Sequence, residues 1–543
     1  MTLFERLLAA RGLTGQARAA FLSPDYDAKH DPFLLPDMQA AVDRLIVAHE
    51  RGERITIYGD YDIDGLTATT VLLDALESFG FAQAEAFIPN RFVEGYGLTV
   101  DAIEKIAGSG ADLIITVDCG SLSHKEIERA NELGVDVIVT DHHNVAETPP
   151  PAVATINPKR KDHKYPFIDL AGVGVAFKLV QALQTRLDGL PIGQEKWLLD
   201  LVALGTICDV VTLVDENRAN VYWGLKVLVK TRRPGLKALM AVATVEAEKV
   251  NARSLGFGLG PRMNAAGRLE TAKHALEMLR AKESMYALEK AQQLDALNMA
   301  RRADQDKILK AAIVQAEQFK DDHVLVVSHS DWNHGIIGIV AAKLLEKYKK
   351  PTYVLQEMGE ESKGSARSYG DFSAADAIRA ADDIITKGGG HKLAAGVTMP
   401  TKNIAAFRKR VNEFYKSQNL FNQAALLLPK ADVTLDTLSE LDESLLTQIT
   451  QLEPFGNGNP EPVFMLEGAI VTNQRRMGIE AQHVKLELQD RNGKRMQFLA
   501  FSAPEHFFVE PGETITIWFQ PMLNEWQGRR SVEGRLLHLE SLL

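Results

Sequence analysis

The chain has 543 residues, which at roughly 100–200 residues per domain corresponds to about three to four domains. Apolar residues make up 45% and charged residues 24%, close to globular averages, so neither wholesale disorder nor a coiled coil fits. With 61 Lys+Arg against 72 Asp+Glu the formal net charge is −11, which excludes coating of DNA or anionic membrane by the whole surface and leaves room only for a local basic channel.

In chain order, residues 1–40 read as a helical or irregular lead-in, and Met1–Leu13, which carries Glu5 and Arg6, has no long apolar core of a signal peptide. From about Ala40 the pattern becomes regular. Ile55–Tyr58 is a short β-rich run and Leu66–Ser78 has a helical pattern. Glu85–Ile88, Leu113–Val117, Val135–Thr140 and Ala152–Ile156 read as further strands, with helical stretches Val100–Ala107 and His124–Leu133 between several of them. Strands alternating with helices imply a parallel α/β sheet. The most apolar long stretch, Leu198–Val214, is interrupted by Asp200 and Asp209 and is too short to span a bilayer. More helices follow to about Ala281.

Ser284–Phe319 has no Pro or Gly and is rich in Ala, Leu, Glu, Gln and Lys. It reads as one helix of about 50 Å, long enough to connect two domains as a strut. A second α/β unit begins at His323–Val327, with helices over Ile336–Tyr348, Phe372–Ile385 and Ile404–Lys416, a strand at Thr352–Leu355, and a Gly-rich turn running into a strand over Lys387–Met399. After a linker at 417–430 come short alternating runs at Val463–Val471, Val484–Leu488, Met496–Phe501, Thr514–Phe519 and Arg530–Leu539, with a turn signal at Asp490–Gly493. Such runs suggest a small β-barrel. The expected division is a lead-in over 1–40, a first α/β domain over 41–281, a connecting helix over 282–320, a second α/β domain over 321–418 and a barrel domain over 419–543.

The strongest chemical signal is Tyr58-Gly59-Asp60-Tyr61-Asp62-Ile63-Asp64-Gly65, directly after an apolar strand. In an extended segment the three carboxylates would project from one face. They repel one another and need compensation, most naturally by divalent cations; taken alone, the run also fits an Asp-rich turn at a strand end. The next strands sharpen it. Leu113–Val117 ends in Asp118-Cys119-Gly120, and Val135–Thr140 ends in Asp141-His142-His143. Three strands thus deliver carboxylate or imidazole at their C-terminal ends, where open α/β sheets build their sites. Asp, Asp and His together suit Mn²⁺ or Mg²⁺, with imidazole tilting the choice to Mn²⁺. Zinc fits less well, since no CxxC occurs. Asp209, in Gly205-Thr206-Ile207-Cys208-Asp209-Val210-Val211, is a fourth candidate, because an Asp in so apolar a run is not buried unpaired; a helix cap or a salt bridge is the alternative. The two cysteines, Cys119 and Cys208, exclude a disulfide framework and suit a reducing cytosol; they read as small buried residues.

YGDYDIDG, VDCG and DHH, in this order and spacing, resemble the DHH phosphoesterase superfamily. GVGVAFK (Gly172–Lys178), GTICDVV, LGPRMNAAGR (Leu259–Arg268) and GGGHKLAAG (Gly388–Gly396) narrow the resemblance to the bacterial single-strand-specific 5′→3′ exonucleases of that superfamily, over about Ala40 to the C-terminus. The resemblance implies a DHH domain and a DHH-associated domain, joined by the long helix around a catalytic cleft, and an OB-type barrel. It implies two divalent cations, Mn²⁺ preferred or Mg²⁺. Asp118 would bridge them, Asp60 and Asp62 would hold the first, and Asp64, His142 and Asp209 the second. Related pyrophosphatases use a His where this chain has Tyr58, so the first cation would rely on carboxylates. His143 would contact the scissile phosphate, and Asp141 would orient a histidine. Asp62, Asp118, His142 and His143 are the residues expected to carry the chemistry.

The same resemblance makes Arg91 and Tyr96 candidates for phosphate pairing and base stacking; the alternative is a surface loop. Arg262 and Arg268 flank a Gly- and Ala-containing turn and would also face substrate. Ser365, Arg367 and His391 would contact the 5′-phosphate or backbone, although the serine-glycine stretch Ser362–Ser368 also fits a flexible turn. This chain has Ser-Ala-Arg-Ser where the family form is Ser-Gly-Arg-Ser, so Ala366 restricts the backbone there. His334 fits substrate contact or a core role equally. In the barrel, Arg475, Arg476, Arg491, Lys494, Arg495, Arg529 and Arg530, with Trp518, Phe519 and Trp526, would form a cationic groove with aromatic platforms for a single strand.

The function expected is hydrolysis of single-stranded DNA from the 5′ end to nucleoside 5′-monophosphates, in recombination and repair. A narrow passage beside the cations would exclude a duplex. The partners implied are single-stranded DNA, single-strand-binding protein and a repair helicase; the protein is expected to be a cytoplasmic monomer with no membrane contact. One alternative is a DHH-type phosphodiesterase for nanoRNA or cyclic dinucleotides, against which the barrel and LGPRMNAAGR argue. The other is a DNA-binding scaffold with a degenerate site, against which the complete set of six candidate ligands argues.

Overall fold

Two short helices open the chain, α1 (Leu3–Ala10), closed at its start by a capping box of Thr2 and Glu5, and α2 (Gly15–Leu22). The computed structural model describes residues 1–95, 97–420, 423–526 and 528–541. They fall into two units: one comprises Met1–Pro261, Ala275–Leu288 and Pro429–Leu543, the other Arg262–His274 and Glu289–Leu428.

After α3 (Met38–Arg51) the first sheet is built from β1 (Ile55–Gly59), β2 (Ala84–Phe87), β3 (Leu113–Val117), β4 (Asp136–Thr140) and β5 (Ala154–Ile156). The order is β2-β1-β3-β4-β5 and every pairing is parallel. β1 and β3 are buried along their whole length, which is why they read as continuous apolar runs rather than alternating ones. One face carries α5 (Val100–Gly108) and α6 (His124–Glu132), with Ile103, Ile106, Ile127 and Ala130 packed on Ile114, Val137 and Val139. The crossover from β1 is α4 (Ile63–Phe79), which packs against α7 (Gly172–Leu183) and α8 (Leu199–Cys208). Helices α9 (Asp215–Val229) and α10 (Pro234–Val242) follow. LGPRMNAAGR is not a turn: Ser254–Leu259 is a π-helical turn running into α11 (Gly260–Leu269), because Ala265 and Ala266 are buried on a helix face and Gly260 does not break it.

After α12 (Lys273–Arg280) comes the long helix α13 (Ser284–Glu317), 34 residues as its composition implies. The second unit holds a sheet of β6 (Leu325–His329), β7 (Thr352–Met358), β8 (Glu361–Arg367), β9 (Lys387–Gly390) and β10 (Ala394–Pro400), in the order β6-β7-β8-β10-β9. Only β6–β7 is parallel. Two expectations change here. Ser362–Ser368 is not a flexible turn but chiefly β8, hydrogen-bonded on both sides, and the Gly-rich segment is itself strand β9. Ladder pairing outweighs the poor strand propensity of Ser and Gly. Ala366 is an ordinary buried strand residue between Tyr353 and Ala395. The helices α14 (Ile337–Tyr348), α15 (Ala374–Arg379) and α16 (Ile404–Ser417) complete this unit, α15 being shorter than the run Phe372–Ile385 suggests.

The C-terminal region contains β11 (Val433–Thr434), α17 (Glu443–Ile449), β12 (Phe464–Met477), β13 (His483–Gln489), β14 (Arg495–Ala500), β15 (Thr514–Trp526) and β16 (Arg529–Ser541). Pairing of β12 with β15 closes a five-stranded barrel of β12, β13, β14, β16 and β15. The lead-in is part of this barrel's core, because α1 buries Leu3, Phe4, Leu7 and Leu8 against it. The expected basic groove is dispersed by the strand register. Arg475 and Arg476 lie where β12 meets the start of β13, Arg491 and Lys494 lie in the β13–β14 turn at the other end of that ladder, and Arg530 pairs with Glu443. Phe519 is fully buried, a core residue rather than a platform, while Trp518 is half-buried beside His538.

Candidate metal centre

The acidic run is not extended. β1 ends at Gly59, the chain turns through Asp60 and Tyr61, and Asp62 caps α4 by accepting from the Gly65 amide at 3.1 Å. Asp64 then falls in the first helical turn. Its two oxygens accept from the amides of Gly172 (2.6 Å) and Val173 (2.8 Å) at the start of α7, an anion held at a helix N-terminus. This explains the glycine that opens GVGVAFK: a Cβ on Gly172 would lie 2.7 Å from Asp118 Oδ1.

Asp118 leaves the end of β3 with φ of 61°, in the left-handed region, with its amide donating to Thr140 O. Asp141, His142 and His143 leave the end of β4. His142 Nε2 lies 3.1 Å from Asp118, 3.6 Å from Asp209 and 3.8 Å from Asp64. Asp141 Oδ1 accepts from the amides of His142 and His143 and contacts His143 Nδ1 at 2.9 Å, while its Oδ2 accepts from the Ser121 amide. Asp209 arrives from the C-terminal end of α8, the unfavourable end of a helix for an anion.

Three sets of ligand atoms lie within 4.8 Å of one another: Asp60, Asp62 and Asp118; Asp64, His142 and Asp209; Asp118, His142 and His143. Asp60 Oδ1, Asp118 Oδ1 and His142 Nε2 are buried with no hydrogen-bond partner. Burial, reinforced by Asp62, pushes Asp60 up to about 8 and Asp64 to about 7; burial, with Asp64 and Asp62, pushes Asp209 to about 9. Asp118 is raised well above the usual carboxylate range by burial and by Asp64. Burial, with His143 beside it, lowers His142 to about 4. Carboxylates so crowded, around a neutral imidazole whose Nε2 makes no hydrogen bond, are a donor set fitted to hard or borderline divalent cations.

Other expected residues are placed as follows. Arg91 lies over the Tyr61 ring at 4.3 Å, and its charge lowers Asp60. Tyr96 lies outside the described residues. The Tyr58 hydroxyl donates to Gly97 O. In the second unit Arg262 pairs with Asp295 at 2.8 Å and Arg268 donates to Gly335 O. Ser365 and Arg367 lie at the N-terminal end of α14, where a Cβ on Gly338 would come within 2.9 Å of Ser365 Oγ and 3.2 Å of Arg367 Nη2. The His391 amide bonds Ala394 O, and Ala394 pairs with Arg367. His334 Nδ1 contacts Gln356 at 2.9 Å. Cys119 is buried and burial raises its thiol; Cys208 is half-buried.

Two neighbours were missed by sequence reasoning. Asn157 donates to Ser121 Oγ and His143 O, bracing the turn that carries the histidines. It follows β5 directly, so the strand-end logic that selects Asp118 also reaches it. Lys159, two residues on, has a charge that lowers Asp209. No sequence pattern marks it.

The sheet, the strand-end acids and the His pair define a DHH-type phosphoesterase. Family models match in three places: the DHH family N-terminal domain over residues 54–206, the DHHA1 domain over 321–417 and the RecJ OB domain over 431–538. Curated relatives include the single-stranded-DNA-specific exonuclease RecJ of Bacillus subtilis (strain 168), 37% identical over 96% of this chain. The chain spans 66% of that relative's length. The RecJ of Dickeya dadantii (strain 3937) is 34% identical over 99% of this chain and 96% of its own length. Among solved structures, RecJ from Thermus thermophilus in complex with Mn²⁺ superposes with a TM-score of 0.81 and 31% identity, covering 99% of this chain and 77% of that one. The same protein has been solved with Mg²⁺. The chain belongs to the RecJ family. These relatives do not favour the nanoRNA or cyclic-dinucleotide alternative. No described helix is long and apolar enough to cross a membrane.

Proposed function

We propose that the acidic centre hydrolyses the terminal phosphodiester of single-stranded DNA, removing nucleoside 5′-monophosphates from the 5′ end. The chain is a metal-dependent single-stranded-DNA exonuclease of the RecJ family. The observation that carries the metal assignment is the convergence of the three ligand sets on Asp118 and His142, with Asp60 Oδ1, Asp118 Oδ1 and His142 Nε2 buried and without a hydrogen bond.

Asp60, Asp62 and Asp118 would hold one divalent cation, Mn²⁺ or Mg²⁺, and Asp118, Asp64, His142 and Asp209 the other. When bound, the pair lowers the pKa of the attacking water and neutralises charge developing on the phosphate. The protein's own groups supply position. The α7 amides fix both oxygens of Asp64. Asp141 engages His143 Nδ1 and so orients the ring that would contact the scissile phosphate. Burial pulls His143 down, but the Asp141 contact outweighs it and leaves the imidazole raised, which favours the cation that an anionic substrate wants. Arg91 adds charge beside Asp60. Arg262 and Arg268 would bind the strand, and Tyr96 would stack on a base. Ser365, Arg367 and His391 would take the 5′-phosphate, since a serine and an arginine at a helix N-terminus suit an anion.

Two unpaired cysteines suit action in the cytoplasm, as a monomer recruited by single-strand-binding protein and a repair helicase. The test is Mn²⁺-dependent digestion of two single strands, one labelled at each end, with a blunt duplex as control. Prompt mononucleotide release from the 5′ label, absent on duplex and with Asp118→Ala, is expected. Release from the 3′ label would reverse the polarity and remove the 5′-phosphate assignment.

A further inference from the structure

The segment that carries Asp209 is held by the loop that leads into the barrel. Asp209 ends α8, and Val210, immediately after it, has φ of 62° and is 64% exposed. A β-branched residue in the left-handed region is strained and persists only where its surroundings impose it. The carbonyl of Val210 accepts from Asn457 Nδ2 at 2.9 Å, and the Leu213 amide donates to Asn457 O at 2.7 Å. One residue therefore grips both ends of the turn 210–213. The middle of the turn is tied separately, with Thr212 Oγ1 on Asp169 and Asn217 on the Thr212 carbonyl.

The loop is shaped for this contact. A Cβ on Gly456 would lie 2.7 Å from Leu213, and Gly458, at φ of 74°, passes close to Thr212. Asn459 braces the loop internally through the carbonyls of Leu452 and Pro454, and Arg11 of the first helix region contacts Asn459 at 2.9 Å. On the other side Arg218 of α9, nearly fully buried, donates to the carbonyls of Glu453, Pro454 and Phe21. Glu453–Asn459 is thus a rigid pad, fixed to the barrel core and to α9, that presents Asn457 to Val210.

We infer that Asn457 is a positioning residue for the metal centre: it holds Val210 in the left-handed conformation and so keeps the Asp209 carboxylate beside His142 and Asp64. The inference rests on the reading of Asp209 as a ligand. It makes the barrel's leading loop part of the apparatus that completes one cation site, independently of any contact the barrel makes with DNA.

The test is Mn²⁺ titration of the full chain, followed by electron paramagnetic resonance of free Mn²⁺, on wild type, Asp209→Asn, Asn457→Ala and the double variant Asn457→Ala/Val210→Gly, with melting temperatures recorded alongside. Asn457→Ala should weaken one of two Mn²⁺ sites about 10-fold, as loss of a residue supporting a ligand does, and leave the other unchanged. Glycine adopts the left-handed region without strain, so the double variant should recover the lost affinity; a loop that mattered only for folding would not be rescued this way. If Asn457→Ala is too unstable to titrate, the isosteric Asn457→Asp, which cannot donate to Val210 O, is read in its place with the same expectation. Wild-type affinity at both sites in the Asn457 variant, with Asp209→Asn weakened, overturns the inference alone. Unchanged affinity in Asp209→Asn overturns the ligand assignment beneath it.

Discussion

The two ends of α4 carry the same kind of side chain in opposite circumstances. Toward its C-terminus, Asp74 and Glu77 and the fully buried Asp200 of α8 are each met by a cation. Arg233 pairs with Asp74 at 2.5 Å and Asp200 at 3.2 Å, Arg280 with Asp74 and Glu77, and Lys282 with Glu77. The buried Lys178–Glu216 pair of α7 and α9 follows the same rule. At the N-terminal end Asp60, Asp62, Asp64, Asp118 and Asp209 are gathered with no Lys or Arg ion pair among the described residues, of which only the imidazoles of His142 and His143 lie in ion-pair range of any of them. The far end of α4 matches its carboxylates with Arg and Lys, whereas this end gathers a set that could hold a cation from solution. The difference separates an ion-paired cluster from a candidate cation site without reference to relatives.

Removing Asp118 should break the catalytic end outright. With Asp118 proposed as the ligand shared by both cations, Asp118→Ala should forfeit several kcal/mol of transition-state stabilisation and lower the rate of strand digestion by about 10³-fold or more in steady-state assays with Mn²⁺. The chelator-treated Asp118→Asn protein should nevertheless melt higher than wild type, because a buried carboxyl crowded by other acids is replaced by an amide with no charge to suppress. The paired end should respond the other way. Arg233→Ala leaves Asp200 buried without its cation and should cost about 3–5 kcal/mol in denaturant unfolding, with Mn²⁺ affinity unchanged.

Acidity sharpens the same contrast. In chelator, Asp60, Asp64 and Asp209 have folded values of about 8, 7 and 9 against an ordinary 3.8. The folded state then binds more protons than the unfolded one between those limits, so their contribution is fully present below about pH 4 and is lost progressively from there until pH has risen through 7–9. Stability of the chelated protein should fall over that window, and saturating Mn²⁺ should flatten the fall and raise the melting temperature. The smallest effect belongs to Tyr58. Its hydroxyl serves the Gly97 carbonyl and not a cation, so Tyr58→Phe should cost about 1 kcal/mol of stability and leave strand digestion at wild-type rate.

Much of the first sheet and the core of the site were legible because strand ends are local features. Asp60, Asp118, His142 and His143 each follow a β-rich run directly, and parallel packing brings those ends together. Asp209 was legible only as a charge out of place in an apolar run. What lay hidden depends on partners far away in the chain. β8 and β9 carry Ser and Gly and become strands through pairing with β10. The α1 helix finds its core in the barrel, through Arg6 on Glu440 and Arg11 on Asp432 as well as Leu7 and Leu8. The barrel's arginines look clustered as a string and are separated by register. Asn457 acts on Val210 from 247 residues away in the sequence, a relation no local pattern encodes.

The most direct test of the central claim is an anomalous-scattering map from crystals soaked in Mn²⁺. Two peaks flanking the Asp118 carboxylate are predicted, one beside Asp60 and Asp62, the other beside Asp64, His142 and Asp209, with none among Asp74, Glu77 and Asp200. No density at Asp118, or Mn²⁺ bound instead at the paired end of α4, would contradict it.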